Sequence, residues 1–320
     1  MDLSIIIVNW NSVDFLYKCL ASVYANSKGM SFEVIVIDNA SFDGCEEMIQ
    51  KGFPQVRFIQ SQKNLGFARA NNLASEEAAG KVLLFLNPDT EVIGPALQCM
   101  VACLTSLPDA GVVGPTLLNS DGSIQTSCIQ SFPSILNQVL DSEYLRAAFP
   151  KWPLWGNQAL FEESSQSVVV EGISGACLMI RKSIFEDVGR FSSEYFMYGE
   201  DMDLCYIAQK AGLKNYYVSK ARVIHHGGES TASLSDKQFS SVMMRQSVLR
   251  FMRGHRGDGY AVVFRLAMAI AALCRLTVVA VVMLFLGITP QRHTLSLAFA
   301  KWFRVLRWAI GLESWANPTR

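Results

Sequence analysis

Three acidic residues lie together where a helix is predicted to begin. Glu200, Asp201 and Asp203 open a helical pattern over residues 199–212. The helix dipole favours acidic residues in a first turn whatever the protein does, which explains one of them more readily than three. A carboxylate fixed at such a point can act as a general base that takes the proton of an attacking hydroxyl group.

Polar residues follow the apolar, strand-like runs in the first third of the chain. The runs cover residues 3–8, 33–38, 56–60 and 82–87, and helical patterns cover residues 12–26, 42–51 and 66–80 between them. This alternation predicts an α/β fold in which helices cover a parallel sheet. Such sheets bind ligands at the carboxyl ends of their strands. The polar residues at those ends are Asn9, Asn11, Asp38, Asn64, Asn87 and Asp89.

The pattern changes in the middle of the chain and then returns. Residues 119–166 lose the alternation and are predicted to form an irregular or helical excursion over the site. Strands are predicted again near residues 174–181 and 221–225. The aromatic residues of the excursion are Phe132, Tyr144, Phe149, Trp152, Trp155 and Phe161.

The composition of the chain indicates a folded body with a different kind of tail. Half of the 320 residues are apolar, which is enough for a large core and argues against disorder. From Arg256 onward there are eight Lys or Arg and two acids, a net charge of +6, against −6 for the preceding residues. A basic, apolar tail on an acidic body favours an anionic membrane surface as a partner over nucleic acid.

Two segments of the tail are candidates for membrane contact. Residues 261–288 are apolar apart from Arg265, Arg275 and Thr277. Only 13 residues of this segment follow Arg275, fewer than the roughly 20 of a spanning helix. A helix over residues 297–312 would place Lys301, Arg304 and Arg307 on one arc of its surface. The aromatic residues Trp302, Phe303 and Trp308 would lie largely outside that arc. This pattern is typical of a helix in the membrane interface, and a helix packed on the body is the alternative. We expect interfacial attachment, although a single span is possible.

The cysteines and the N-terminus are consistent with a cytosolic body. The eight cysteines include no CxxC pair and lie mostly in apolar stretches, which predicts reduced thiols rather than disulfides or zinc. The apolar run at residues 3–8 is too short for a signal peptide. We therefore expect the protein at the cytoplasmic face of the cell membrane.

Seven short motifs, taken in order, resemble those of family 2 glycosyltransferases over roughly residues 3–230. The motifs are residues 4–11, 36–41, 64–72, 85–90, 174–176, 199–203 and 225–228. Within the family they are most similar to the rhamnosyltransferase-like branch. The resemblance implies a GT-A type, Rossmann-like nucleotide-diphospho-sugar transferase domain over residues 1–255. A membrane-associating helical tail over residues 256–320 would follow it.

The resemblance also implies a divalent metal ion, Mn²⁺ or Mg²⁺. Asn87-Pro88-Asp89 occupies the place of the family's Asp-x-Asp, and Asn87 removes one negative charge from the usual form. Asp89 and His225 are the expected ligands, and an imidazole beside a carboxylate suits manganese somewhat better than magnesium. His226 is the adjacent candidate, but neighbours on a strand point to opposite faces, so only one of the two should face the metal.

Donor binding is assigned by resemblance to Asn9, Asn11, Asp38, Asn64, Gly66, Arg69, Asn87 and Asp89. Asp38 can accept the imide N–H of uracil or thymine, although it can equally cap the next helix. Arg69 can reach a phosphate or a base from a first helical turn, and a solvated surface arginine is the alternative. Asp201 is the expected general base, and Glu200 is expected to touch the sugar or the acceptor.

The resulting hypothesis is an inverting glycosyltransferase. Its donor would be a nucleotide-diphosphate sugar, with dTDP-rhamnose or a UDP-sugar favoured, and its acceptor a lipid-linked glycan used in cell-surface polysaccharide synthesis. A non-catalytic, membrane-tethered protein that binds a nucleotide or glycan on the same fold is the alternative, favoured only by Asn87. A nucleotidyltransferase is disfavoured because Asn9-Trp10-Asn11-Ser12 is not a Gly-rich basic loop.

Overall fold

The computed structural model describes residues 2–141, 149, 152, 154, 167–227, 234–285, 290–313 and 315. The chain forms two compact units. The first comprises residues 1–132, 149–153 and 157–230, and the second comprises residues 133–148, 154–156 and 231–320. The sequence predicts a boundary between body and tail at residue 256. In the structure, the last segment of the second unit begins earlier, at residue 231.

The strands of the first unit make one large mixed sheet and one small sheet. They are β1 (Leu3–Asn9), β2 (Phe32–Asp38), β3 (Arg57–Gln60), β4 (Val82–Leu86), β5 (Thr90–Ile93), β6 (Ala110–Leu118), β7 (Ile129–Gln130), β8 (Val168–Val170), β9 (Gly172–Ile173), β10 (Cys177–Arg181) and β11 (Lys214–His225). The large sheet has the order β3-β2-β1-β4-β10-β6-β11-β5, with β8 paired to β11. β7 and β9 form the small sheet.

Helices connect and cover these strands. They are α1 (Val13–Asn26), α2 (Cys45–Gly52), α3 (Phe67–Glu76), α4 (Ala96–Ser106), α6 (Lys182–Asp187) and α7 (Glu200–Lys210), with a short 3-10 turn at Thr126–Cys128. Every residue of β1 is buried, as expected for a central strand with both faces covered.

The predicted parallel sheet is confirmed for its first half. β1 pairs in parallel with β2 and β4, and β2 pairs in parallel with β3. The second half is mixed, because β10 is antiparallel to β4 and β6, and β11 is antiparallel to β5. The predicted helix over residues 66–80 ends at Glu76, and the strand predicted over residues 221–225 is the end of the longer β11.

One edge of the large sheet collects the residues singled out from the sequence. Asn9 pairs with Asp38 at the ends of β1 and β2. Cys177, the first residue of antiparallel β10, pairs with Leu86, the last residue of β4. β11 runs parallel to β6 and ends at His225, so its carboxyl end reaches the same edge.

The second unit is helical where the structure describes it. It contains α5 (Ile135–Leu140), α8 (Leu234–Arg256), α9 (Asp258–Phe285) and α10 (Pro290–Ala309). Gly257, with φ +87°, separates α8 from α9, as glycine does at helix ends. Of the aromatic residues in the predicted excursion, Tyr144, Trp155 and Phe161 lie outside the described residues.

The tail prediction needs one correction. α9 is, among the described residues, the helix that is long and apolar enough to cross a membrane by length and composition. Trp308, expected to insert into lipid, is instead buried in protein and donates its indole N–H to Gln246 Oε1 at 2.8 Å. Its place in α10, facing the other helices, explains the burial.

Candidate active site

Asn9 and Asp38 hold the ends of β1 and β2 together. Asn9 Nδ2 donates to Asp38 Oδ1 at 2.9 Å, while Asn9 Oδ1 is buried without a hydrogen-bond partner. Asp38 Oδ2 accepts the backbone N–H groups of Ser41 and Phe42 at 3.1 Å and the Gln60 amide at 2.8 Å. Because both Oδ atoms are already bonded, a base edge would have to share or displace these donors.

Burial and hydrogen bonding act in opposite directions on the pKa of Asp38. Burial raises it, but the hydrogen bonds from Ser41, Gln60, Phe42 and Asn9 together outweigh burial, and the pKa lies below its usual range. Asp38 is therefore a fixed negative charge at the carboxyl end of β2.

Asp38, Asp43 and Cys45 form a group whose ligand atoms lie within 4.8 Å of one another. Asp43 Oδ2 accepts the backbone N–H groups of Ser12 at 2.9 Å and Val13 at 3.0 Å, which caps the start of α1. Burial raises the pKa of the Cys45 thiol far above its usual range, and Asp38 raises it further. This group fits a structural cap better than a metal site.

Gly66 lies where two backbone segments meet. Its φ is +76°, and a Cβ at this position would lie 2.3 Å from Phe196 O. Phe67 N donates to the same oxygen at 2.8 Å, and Gly66 N donates to Asn64 Oδ1 at 2.9 Å. Only glycine permits this contact at the start of α3.

The polar loop before α3 faces the end of β2, while Arg69 points outward. Asn64 Oδ1 accepts from Asn39 Nδ2 at 2.9 Å. Arg69 is exposed in the first turn of α3, and its Nε donates to Ser193 O at 3.3 Å. Asn11 is also exposed and has φ +51°.

Asn87, Asp89 and His225 meet at the ends of β4 and β11. His225 Nε2 lies 3.5 Å from Asp89 Oδ1 and 3.4 Å from Asn87 Nδ2. The other ring nitrogen, Nδ1, lies 3.0 Å from Gln125 Oε1. His226 turns the opposite way, towards Glu91 Oε1 at 2.9 Å and Ser120 Oγ at 2.8 Å. The two rings therefore point to opposite sides, and His225 is the one that faces Asn87 and Asp89.

The donor atoms of Asp89 and His225 fit a shared divalent ion. Metal bonds to imidazole nitrogen and carboxylate oxygen are about 2.1 Å long. Two donor atoms 3.5 Å apart can therefore reach one ion with only a small movement. The Asp89 and His225 side chains are 9% and 17% exposed, so both are largely buried with a small part open to solvent.

Asp201 is linked to the same edge through the segment before β10. Its Oδ2 accepts the backbone N–H of Gly175 at 2.7 Å, and its Oδ1 accepts that of Met202 at 2.8 Å. Asn87 N donates to Ala176 O at 2.9 Å, so the motif that holds Asp89 and the segment that holds Asp201 share backbone contacts.

Glu200 lies beside Asp201 in a different environment. Glu200 is buried, and its Oε2 has no hydrogen-bond partner. Burial raises the pKa of Glu200 to about 8, with the Asp201 carboxylate as the next cause. Burial also raises the pKa of Asp201, although hydrogen bonds from Gly175 and Met202 act against it. Burial therefore favours a proton on Glu200, and the backbone N–H groups favour the negative charge on Asp201.

Asp203 contacts a tyrosine in the segment before α7. Its Oδ1 accepts the hydroxyl of Tyr195 at 3.1 Å. Tyr195 is itself buried, so the contact anchors the segment before α7. This agrees with a structural role for the third acid of the cluster.

Unusual backbone angles occur at the turns of this edge. Asn11, Ala40, Phe42 and Tyr198 have positive φ although none is glycine. Each such residue costs on the order of 1 to 3 kcal/mol, and such strain gathers at functional sites. Asn11 follows β1, Ala40 and Phe42 follow β2, and Tyr198 precedes α7.

Two contributors to this edge were not found from the sequence. Gln125 and Asp43 each bind a residue of the predicted site, but neither lies in a strand or in a recognisable motif. An open cavity of about 400 Å³ is lined by His225 together with Gln125, Thr126 and Ser127, among others.

Comparison with known proteins decides the family. Residues 4–189 match the model described as "Glycosyl transferase family 2". The chain belongs to this family. Residues 142–312 also match a model described as "Glycosyl transferase family group 2". The family 2 assignment confirms the resemblance seen in the seven motifs.

Similar proteins include two named rhamnosyltransferases. The N-acetylglucosaminyl-diphospho-decaprenol L-rhamnosyltransferase of Mycobacterium tuberculosis (strain CDC 1551 / Oshkosh) is 31% identical over 243 residues, which cover 72% of this chain and 77% of that protein. Rhamnosyltransferase WbbL of Escherichia coli (strain K12) is 26% identical over 242 residues, covering 73% and 87% of the two chains. These similarities confirm a rhamnosyltransferase-like family 2 glycosyltransferase.

Solved structures support the GT-A fold. The mannosyltransferase PcManGT from Pyrobaculum calidifontis, in complex with GDP-Man and Mn²⁺, matches 97% of this chain and 86% of its own with a TM-score of 0.60 at 14% identity. GalNAc-T7 with UDP, GalNAc and Mn²⁺ matches with a TM-score of 0.54 at 16% identity, and the aligned region covers 77% of this chain and 51% of GalNAc-T7. At these identities the likeness concerns the fold alone.

Proposed function

We propose that this family 2 glycosyltransferase is an inverting enzyme that transfers a sugar, with rhamnose from dTDP-rhamnose or a sugar from a UDP donor favoured, to a lipid-linked glycan. The observation that carries the proposal is the meeting of Asn87, Asp89 and His225 at the same sheet edge as Asp201. The candidate leaving-group site and the candidate base lie on segments in contact, since Asn87 N donates to Ala176 O and Gly175 N donates to Asp201 Oδ2. The printed names of the mycobacterial and Escherichia coli relatives support rhamnose as the sugar, and the former name supports a diphospho-polyprenol acceptor.

In direct displacement, the chain's own residues accept the acceptor's proton and hold the leaving group; Asp201 is the proton acceptor. The acceptor hydroxyl oxygen forms a bond to the anomeric carbon while the bond from that carbon to the diphosphate oxygen breaks. The nucleoside diphosphate leaves with the electron pair, and the hydroxyl proton passes to the Asp201 carboxylate. Asp201 Oδ2 accepts the Gly175 N–H and Oδ1 accepts the Met202 N–H, and a carboxylate has further lone pairs that can accept the proton.

Asp89 and His225 are the residues that would hold a divalent ion, with Asn87 as their neutral neighbour. A bound Mn²⁺ or Mg²⁺ would neutralise the charge that grows on the departing diphosphate. Asn9, Asp38, Asn64 and Gly66, which lie at or just after the ends of β1 to β3, would bind the nucleotide. Arg69 and Asn11, both exposed, are available to a donor from solvent.

The tail is proposed to attach the enzyme to the membrane surface without crossing it. α10 runs back along α9, since Arg265 of α9 donates to the carbonyl oxygens of Trp308 and Ala309 at 2.9 and 3.2 Å. A spanning α9 would carry the cations of α10, Lys301 and Arg304 among them, into hydrocarbon at about 3 kcal/mol each. An interfacial bundle avoids that cost.

The apolar face of α9 is the surface proposed to enter the lipid. Its exposed residues recur at helical spacing and include Val262, Leu266, Ile270, Leu273, Val281 and Leu284. The proposed location is the cytoplasmic face, which is consistent with all eight cysteines being free.

The test combines a donor screen with metal removal. Purified protein is assayed with UDP-, dTDP- and GDP-linked sugars, with and without chelator, alongside Asp89→Ala and His225→Ala. We expect transfer from one pyrimidine donor, loss of transfer in chelator, and loss in both variants with an unchanged circular dichroism spectrum. Full turnover in chelator would contradict the metal assignment, and absence of transfer from every donor would contradict the proposed reaction.

A further inference from the structure

Gln125 contacts His225 in two places at once. Its Nε2 donates to the His225 backbone oxygen at 2.6 Å, and its Oε1 lies 3.0 Å from His225 Nδ1. The backbone of Gln125 is also fixed, because its N–H donates to Leu117 O at 2.8 Å. The side chain therefore reaches His225 from a position anchored to β6.

These two contacts determine which ring nitrogen of His225 carries a proton. A backbone carbonyl oxygen only accepts hydrogen bonds, so the Gln125 atom that faces it must be the NH₂ group. The atom that faces Nδ1 is then the amide oxygen, which also only accepts. Nδ1 must be the donor, and the neutral ring has its lone pair on Nε2. Asn87 Nδ2, at 3.4 Å, is a donor suited to that lone pair.

We infer that Gln125 is a positioning residue that fixes the tautomer and orientation of His225, so that Nε2 is presented as a metal ligand beside Asp89. The inference rests on the proposed metal site. Ligating histidines are commonly held in this way through their second nitrogen, and loss of such a partner costs about 10- to 100-fold in metal affinity.

His226 provides an internal contrast. Both of its ring nitrogens face protein groups, Glu91 Oε1 and Ser120 Oγ. No nitrogen of that ring is left for a ligand in the described structure. Ser120→Ala therefore serves as a matched control, because it removes a ring contact of the neighbouring histidine from the same loop.

The first experiment reads the tautomer directly in the full-length protein. The chain has only four histidines, so uniform ¹⁵N-histidine labelling gives a simple long-range ¹H–¹⁵N spectrum at about pH 8.5, where an ordinary imidazole is neutral. His225→Gln assigns the His225 signals. We expect the Nδ1–H tautomer in the wild-type protein and in Ser120→Ala, and a mixture with Nε2–H in Gln125→Ala. An Nε2–H tautomer in the wild-type protein would overturn the inference.

The second experiment measures Mn²⁺ affinity by electron paramagnetic resonance titration. We expect Gln125→Ala to weaken binding by about 10- to 100-fold, and Ser120→Ala to leave it unchanged. Gln125→Glu keeps an acceptor for Nδ1–H and should retain more affinity than Gln125→Ala, which guards against an unfolded alanine variant.

The controls separate this inference from the proposed function. If His225→Ala abolishes Mn²⁺ binding while Gln125→Ala binds as the wild type does, the role of Gln125 is wrong and the metal site stands. If His225→Ala binds Mn²⁺ as the wild type does, the metal site itself is wrong, and the role of Gln125 falls with it.

Discussion

Replacing Glu200 by glutamine tests how the carboxylate pair is charged. Glu200 is buried beside Asp201, its Oε2 has no hydrogen-bond partner, and its pKa is raised to about 8 by burial and then by Asp201. Glutamine has the same shape and resembles the protonated acid. The variant should therefore behave like the wild type wherever Glu200 keeps its proton.

The sign of the effect on stability follows from proton binding. Between the ordinary value of 4.5 and about 8, the folded state holds a proton on Glu200 that the unfolded state has released. The free energy of unfolding of the wild type must therefore fall as pH rises through this window. At about 1.4 kcal/mol per pKa unit the full shift corresponds to about 5 kcal/mol. We compare the free energy of unfolding of Glu200→Gln with that of the wild type. Because Asp201 shares the charge, we expect this difference to rise in favour of the variant by about 2 to 5 kcal/mol between pH 5 and pH 9.

The assay is urea-induced unfolding of both proteins, followed by circular dichroism at pH 5, 7 and 9. Glu194→Gln, an exposed glutamate in the segment before α7, controls for loss of a carboxylate in general. In parallel, Glu200→Gln should keep transfer within about 10-fold of wild type at pH 7, whereas Asp201→Asn should lose about 10² to 10⁴-fold. A stability difference that stays flat with pH would refute the protonated Glu200. An active Asp201→Asn beside a dead Glu200→Gln would show that the base is Glu200.

Two further predictions concern the donor side and the tail. Gly66→Ala should lower the thermal midpoint of unfolding and weaken donor binding, because its Cβ would lie 2.3 Å from a backbone oxygen and its φ is +76°. Gly29→Ala is the control. Gly29 has a similar φ of +81° but nothing within 4 Å of an added Cβ, so this variant measures the effect of the positive φ alone. If the thermal midpoint and donor binding fall equally in both variants, the contact with the Phe196 oxygen is unimportant. Leu266→Glu with Ile270→Glu should reduce binding to anionic vesicles at least about 100-fold, since burying each side chain is worth about 1.5 to 3 kcal/mol, while the exposed Leu73→Glu should not. Undiminished vesicle binding by the double variant would contradict insertion of this face.

The parallel half of the sheet could be predicted because each strand has the same local signature. β1, β2 and β4 are apolar runs followed directly by polar residues. The strands that were not predicted lack this signature. β5, β7 and β9 have four residues or fewer, too short for periodicity to be recognised, and their place in the sheets depends on partners distant in sequence.

The candidate residues of the site could be named from the sequence, but the contacts between them could not. Asp89 and His225 were paired only through resemblance, since they lie in separate parts of the chain and meet because β11 pairs with β5. Gln125 follows a turn-like stretch with Asp121-Gly122, which gives no sign that its side chain reaches His225. The tertiary fold alone brings it there.

The packing of Arg265 and Arg275 changes the reason for expecting that α9 does not span the membrane. From the sequence, Arg275 argues against a span because a cation in hydrocarbon is costly. In the structure, Arg275 donates to Val139 O and Asp141 O at the end of α5, at 2.8 and 3.0 Å, and its guanidinium lies 4.2 Å from the Trp302 ring. Arg265 does the same at the end of α10, where partial negative charge favours a cation. Neither side chain faces the apolar surface of α9, so neither one is the obstacle to insertion. The obstacle is α10, whose cations would accompany α9 into the bilayer, and the interfacial attachment that we propose depends on that helix pairing.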